Sequence, residues 1–280
     1  MNIETLQPQP DLQKYIEFYY FIKNQAADFK SIHYSFPHTI NVISIYKQAN
    51  YHSGVGHVEM YNDPQNDYLT MLQGKCQMPL KVELNGKTDR ISIFFKTFGL
   101  NQFIQTSLAS VMGNKSNQLT EWDTDPMYKN YLDRCFATDN LEEKIRHLED
   151  FLLWKLKPSP TSPLEQAVTL LSDFEHNYTI EEILSQLKMP LRTFNRHFKE
   201  VIGVSPIEYR NIARFRHSLN NKLFNSKFKK LTEIGYNSNF YDQSYFTKMY
   251  KKLTGSNPSA FFKTVEKLGD DKLIFQFVKK

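Results

Sequence analysis

The sequence predicts an α+β chain in two parts, strand-rich first and helical after. Three observations carry this. The first hundred residues hold short aromatic and β-branched runs separated by Gly, Asn, Asp or Pro, the pattern of strands and turns. From Gly99 the apolar residues move to helical spacing. Between the parts lies "KLKPSPTSP" (155–163), where three prolines and two serines in nine residues remove backbone donors and disfavour helix.

The strands are expected at "YIEFYYFI" (15–22), "TINVISIY" (39–46), "DYLTMLQ" (67–73), "LKVEL" (80–84) and "RISIFFK" (90–96). Helices are expected over "GLNQFIQTSLASVM" (99–112) and "NLEEKIRHLEDFLLWKLK" (140–157). In the second of these Leu141, Ile145, Leu148, Leu152 and Leu156 form one stripe, read as a core-facing side or a subunit interface. The aromatic residues of the strands, among them Tyr15, Phe18, Tyr20, Tyr46, Phe94 and Phe95, either fill a compact core or line an apolar cavity for a small molecule.

Past the proline-rich segment everything reads as helix. Thr179 with Glu182 three places on is a capping box opening "IEEILSQLK". A break at Met189-Pro190 precedes "RTFNRHFKEVI" (192–202), and Pro206 opens a long helix. The order then recurs: "KKLTEIGYNS", a break near Asn239, "DQSYFTKMYKKLT", a Gly, and a final helix from Pro258. "FKEVIGVSPIEYR" (198–210) and "YKKLTGSNPSAFF" (250–262) are the same pattern 52 residues apart. In each an aromatic-Lys pair is followed by a Gly that caps one helix and a Pro that starts the next. Two helix-turn-helix units joined by a long helix satisfy this pattern, and such units place their second helix in a DNA major groove.

Charge and composition agree. The 280 residues are 40% hydrophobic and 23% charged, as in an ordinary globular protein. Net charge is +5, but residues 163–280 hold 19 Lys+Arg against 12 Asp+Glu while residues 1–162 hold 16 against 18. The whole basic surplus sits with the helical repeat, where an anionic partner is expected. The N-terminus lacks a basic segment followed by an apolar one, and the run at 15–22 is interrupted by Glu17 and too short to span a bilayer. Cys76 and Cys135 stand far apart, as suits a reducing compartment. The expected location is the cytoplasm, with no membrane partner.

Within the second helices, Phe194 and Phe198, then Phe246 and Tyr250, stand at i, i+4 and pin each helix to its core. That leaves Arg192, Thr193, Asn195, Arg196 and Lys199, then Gln243, Ser244, Tyr245, Thr247 and Lys248, to face double-stranded DNA. Arg and Lys suit phosphate or guanine, and Asn and Gln suit adenine.

Residues 163–267 resemble the AraC/XylS-type transcription regulators. "IEEILSQLKMPLRTFNRHFKEVIGVSPIEY" carries the first half of the resemblance and "LTEIGYNSNFYDQSYFTKMYKKLTGSNPSAFF" the second, notably "FYDQSYF" and "GSNP". The resemblance implies base reading by Arg192, Asn195 and Arg196 and by Gln243, Ser244, Thr247 and Lys248. The sequence departs from the family at Leu184, where a small residue is usual, at Lys188 and Asn239, where Gly is usual, and at Lys248, where Arg is usual. An Asn tolerates a left-handed turn better than a Lys, and a Lys loses bidentate guanine reading, which shifts specificity toward the first unit. "SFPHTINVISIY", "RISIFFKTFGLNQFI" and "LTEWDTD" (119–125) give a fainter resemblance to the β-rich, often cupin-like domain that precedes such DNA-binding domains. Domains are thus expected at 1–157 (sensing or dimerisation), 158–163 (linker), 164–267 (DNA binding) and 268–280 (tail). The resemblance implies transcription activation, a small-molecule effector, RNA polymerase and a homodimer as partners, and no cofactor.

An enzyme delivered by the helical half is the competing class. His33, His38, His52 and His57 invite a metal reading, but "HSGVGHVE" separates its histidines across two glycines and lacks the tight pair of a metal-binding cupin. Cys76 and Cys135 invite an alkyl-acceptor reading, since some DNA-repair methyltransferases carry the same DNA-binding domain. "GKCQMP" offers only Lys75 to form a thiolate and "DRCFA" nothing. No Gly-rich phosphate loop, nucleophile elbow or HExxH is present. A non-enzyme is expected, with no metal.

Overall fold

Alternation of buried and exposed side chains, set by the two-residue repeat of a strand, lays down the first part of the molecule. The computed structural model describes residues 2–113, 118–160, 163–223, 242–268 and 273–277. Its strands are β1 (Asn2–Leu6), β2 (Ile16–Asn24), β3 (Lys30–Ser35), β4 (Asn41–Lys47), β5 (Ala49–Gly54), β6 (His57–Asn62), β7 (Tyr68–Gln73), β8 (Leu80–Asn85) and β9 (Thr88–Phe95). β1, β2, β9, β4 and β7 form one antiparallel sheet in that order. β5 pairs antiparallel with β6, and β6 parallel with β8.

One face of the five-stranded sheet presents Tyr19, Phe21, Ile43, Ile45, Ile91 and Ile93 to a core shared with the helices that follow. These are α1 (Leu108–Gly113), α2 (Thr120–Asp123), α3 (Tyr128–Ala137) and α4 (Leu141–Lys155). Trp122, Tyr128 and Phe151 meet edge to face or tilted at the centre of that core. The α4 stripe packs there: Ile145, Leu148 and Leu152 are buried and Leu141 and Leu156 partly so. The stripe therefore has its core-facing role.

The helix expected over 99–112 is broken. A 3₁₀ turn occupies Leu100–Gln102 and α1 begins only at Leu108. Between them the N–H groups of Gln105 and Thr106 donate to the Glu121 carboxylate at 2.8 and 3.0 Å. A distant carboxylate takes donors that a continuous helix would use, so tertiary structure overrides the local period.

The chain divides into two compact units. The first comprises Met1–Ile32, Ile40–Gly74 and Lys81–Ser159, and the second His33–Thr39, Lys75–Leu80 and Pro160–Lys280. The helices of the second are α5 (Leu164–Leu171), α6 (Ile180–Leu187), α7 (Leu191–Ile202), α8 (Pro206–Leu223), α9 (Gln243–Thr254) and α10 (Pro258–Thr264). Two short strands, β10 (Glu266–Leu268) and β11 (Leu273–Phe277), follow, and β11 pairs with His33–Ser35. Phe36 is buried with Phe215, Leu219, Phe246, Tyr250 and Phe261, and Arg216 of α8 donates to the Phe36 and Pro37 carbonyls at 2.9 and 2.6 Å. No helix among the described residues is long and apolar enough to cross a membrane.

Candidate nucleic-acid interface

The first helix-turn-helix is fixed by local chemistry. Thr179 accepts from the Glu182 N–H at 3.2 Å and the Glu182 carboxylate accepts from the Thr179 N–H at 2.7 Å, closing the expected capping box on α6. Lys188 ends that helix in the left-handed region at φ 50° and ψ 42°. Pro190 is the N-cap residue of α7. Within α7 Phe194, Phe198 and Ile202 are fully buried. Arg192, Asn195, Arg196 and Lys199 are exposed, and their i, i+3, i+4, i+7 spacing makes them one stripe on the opposite side. Thr193 lies half-buried at its edge.

Both repeat joints form the same stop and start. Gly203 closes α7 at φ 89°, and Ser205 with Glu208 caps α8, whose first residue is Pro206. Gly255 closes α9 at φ 76°, and Asn257 caps α10 ahead of Pro258. Both glycines occupy a conformation in which a Cβ is strained. This is why the Gly and Pro recur at one spacing.

In the second unit the helix expected at "KKLTEIGYNS" and the break near Asn239 lie outside the described residues. Its second helix, α9, is capped by Asp242, which accepts from the Tyr245 N–H at 2.6 Å. Phe246, Met249, Tyr250 and Leu253 are buried. Gln243, Ser244 and Lys248 are exposed and Thr247 is half-buried, its hydroxyl donating to the Gln243 carbonyl at 2.9 Å. Tyr245 is set apart from this group: its hydroxyl donates to Asn211 of α8 at 3.3 Å.

The 52-residue register pairs Arg192 with Ser244, Asn195 with Thr247, Arg196 with Lys248 and Lys199 with Lys251. Lys251 is exposed and completes the second stripe. Counting the register through, instead of treating each helix separately, finds it in the sequence.

Electrostatics sort the basic residues into two groups. Arg192, Arg196, Lys199, Lys248 and Lys251 reach solvent. Arg210 and Arg214 of α8 instead bond the Tyr178 carbonyl at 2.6 Å and the Asn177 side chain at 3.1 Å, and burial pulls Arg216 down to about 9. Part of the basic surplus therefore holds the fold. Arg196 has local company: its guanidinium donates to Glu200 at 3.2 Å and lies 2.8 Å from His197 Nε2.

The residues of the enzyme reading are arranged otherwise. Cys135 is buried, donates to the Lys144 carbonyl at 3.2 Å and is pushed up to about 12 by burial; burial also raises the Cys76 thiol. Neither favours a thiolate. His57 bonds Glu83 at 3.0 Å and His52 packs on Tyr61. Among the described residues no three His, Cys, Asp or Glu converge as metal ligands. A cavity of about 10 Å³, room for one water, lies between Tyr46, Ala49, Met60, Asn85 and Thr88 of the first unit.

Residues 164–264 match a family model described as a helix-turn-helix domain, and residues 4–116 match a domain of unknown function (DUF6597). The chain is similar to the arabinose operon regulatory proteins of Escherichia coli (24% identical) and Salmonella typhimurium (25% identical), in each case over 127 residues and 45% of this chain. It spans less than half the length of those relatives, 43% and 44%. A similar solved structure is ToxT from Vibrio cholerae, at 16% identity and a TM-score of 0.42, covering 94% of this chain and 97% of that one.

Proposed function

We propose that the chain binds double-stranded DNA sequence-specifically and regulates transcription as an activator, a reading supported by the helix-turn-helix model matched over residues 164–264 and by the similarity to the arabinose operon regulatory proteins. The observation that carries this is the pair of matched stripes, one on α7 and one on α9, each opposite a buried aromatic pair.

In this reading α7 lies along the groove floor. Arg196 is long enough, once released by Glu200, to fork onto guanine O6 and N7, and Asn195 suits adenine N6 and N7. Arg192 enters at the helix N-terminus. Lys199 and Lys251 stand at the far end of their helices and meet phosphates. On α9, Gln243, Ser244, Thr247 and Lys248 supply fewer planar donors, so the first unit carries more of the discrimination. The 18-residue α8 is about 27 Å long at 1.5 Å per residue, a fitting spacer for grooves about 34 Å apart on one face of the duplex. RNA polymerase and a second copy of the chain are partners that this reading adds, with a small-molecule effector for the first unit.

The test is direct. Duplexes that the protein enriches from a random pool are compared with scrambled ones by fluorescence anisotropy at two salt concentrations. A selected duplex bound at least 10³-fold more tightly, with affinity falling steeply with salt, supports the reading. Equal binding to both removes sequence specificity.

A further inference from the structure

α7 and α9 follow one register, yet only α7 carries an acid. Glu200 is the sole acidic residue of Leu191–Ile202, and Gln243–Thr254 has none. The register matches Arg196 with Lys248, His197 with Met249 and Glu200 with Lys252. A carboxylate on a helix that faces phosphates opposes binding through its charge. Its place beside Arg196 therefore calls for a reason.

The bonding of Arg196 supplies one. Its Nη1 donates to both carboxylate oxygens of Glu200, at 3.2 and 3.4 Å, and its Nη2 lies 2.8 Å from His197 Nε2. A guanidinium only donates, so the imidazole accepts there as a neutral ring. Both terminal nitrogens of the fork are thus engaged by acceptors of its own helix. Glu200 follows Arg196 by four residues, the spacing at which side chains on a helix meet. The two side chains are 61% and 44% exposed, so the hold is open to exchange. An exposed pair of this kind biases a side chain by about two- to fivefold. In α9 the matched Met249 is buried, and no acid lies within four residues of Lys248. The hold belongs to the first reading helix alone.

We infer that Glu200, together with His197, is a positioning residue that withholds Arg196 from the DNA backbone and yields it to a matched base. The inference rests on the reading of the chain as a sequence-specific DNA-binding protein and adds how its first reading helix gains discrimination. Paired with Glu200, the guanidinium presents no net charge to a phosphate, so Arg196 adds little on random sequence. A site in register offers guanine O6 and N7, two acceptors that replace the two given up. Specificity is a difference of affinities, and lowering the wrong one raises it as surely as improving the right one. Lys248 and Lys251, with no acid near them, meet phosphate on any sequence.

The experiment is a double-mutant cycle in the full chain, read by fluorescence anisotropy on a selected and a scrambled duplex at several salt concentrations. In the parent, Arg196→Ala should leave scrambled binding nearly unchanged. In the Glu200→Gln background the same substitution should weaken scrambled binding about two- to fivefold and lower its salt slope by about one, since a freed Arg196 neutralises a phosphate. Glu200→Lys, the α9 pattern, should expose Arg196 in the same way, and circular dichroism equal to the parent's guards against unfolding of either variant. On the selected duplex Arg196→Ala should cost affinity in every background, because there the guanidinium is on a base. Equal effects of Arg196→Ala on scrambled DNA with and without Glu200 overturn the inference alone. Failure of the parent to prefer any selected duplex overturns the DNA-reading function itself.

Discussion

Arg196 is held by Glu200 one turn along and by His197, so reading a base requires it to exchange those partners for a guanine edge. The exchange is feasible because the ion pair is exposed and such pairs contribute about 1 kcal/mol or less. Arg196→Ala should cost about 1–3 kcal/mol on a selected duplex and little on a scrambled one. Lys199→Ala or Lys251→Ala should weaken both duplexes alike and reduce the salt slope by about one. Anisotropy titrations with both duplexes at two salt concentrations separate the two behaviours. Lys75, 1% exposed, makes a different prediction: burial pulls its ammonium down to about 7. Between that value and the ordinary lysine value the unfolded chain holds a proton that the folded one lacks, so this group makes stability rise with pH. Urea midpoints at pH 7 and 9.5 should therefore differ less in Lys75→Met than in the parent, and an unchanged difference would refute it. The buried aromatic pins were legible in the sequence because i, i+4 spacing is local. The internal bonding of Arg210, Arg214 and Arg216 was not, since nothing nearby in sequence marks a basic residue as a strut.

The helices of the second unit were readable wherever a cap or stop is written within a turn of the helix end. Thr179 and Glu182, Gly203 and Pro206, and Gly255 and Pro258 all lie where their residue types direct. Strands β5 and β6 escaped because exposed polar residues end β5 and all of β6 but Met60 is half-buried, so neither shows the alternation that betrays a half-buried strand. The broken helix after Gly99 escaped because its cause, Glu121, is remote in sequence. Lys188 is the one joint in α6–α8 where residue type and conformation disagree: a left-handed turn carries a Cβ. Lys188→Gly should stabilise the protein by up to about 1 kcal/mol, the strain relieved outweighing the chain entropy that glycine adds. A urea midpoint below the parent's would show the turn to be unstrained.

At the scale of the molecule, two short segments of the strand-rich half, His33–Thr39 and Lys75–Leu80, belong to the second compact unit. No periodicity announces this, because a residue's tertiary partners are not written in its own neighbourhood. It bears on whether residues 163–280 fold and bind DNA alone. Phe36, fully buried against Phe261 with ring centres 4.9 Å apart, is missing from that fragment. Phe36→Ala in the full chain should cost about 3–5 kcal/mol, the usual loss for a buried phenylalanine, read as a lowered thermal midpoint. Fragment 163–280 should remain helical by circular dichroism, with its second helix-turn-helix the less stable.

The central claim is that α7 and α9 read one duplex together, in successive major grooves on one face. It is tested most directly by inserting base pairs between the two halves of a selected binding site. Half a helical turn, five base pairs, rotates one half to the opposite face, whereas a full turn of about ten restores the face but lengthens the span. The account predicts that the five-base-pair insertion lowers affinity at least tenfold, to that of a site with its α9 half scrambled. Affinity unchanged by that insertion would contradict it.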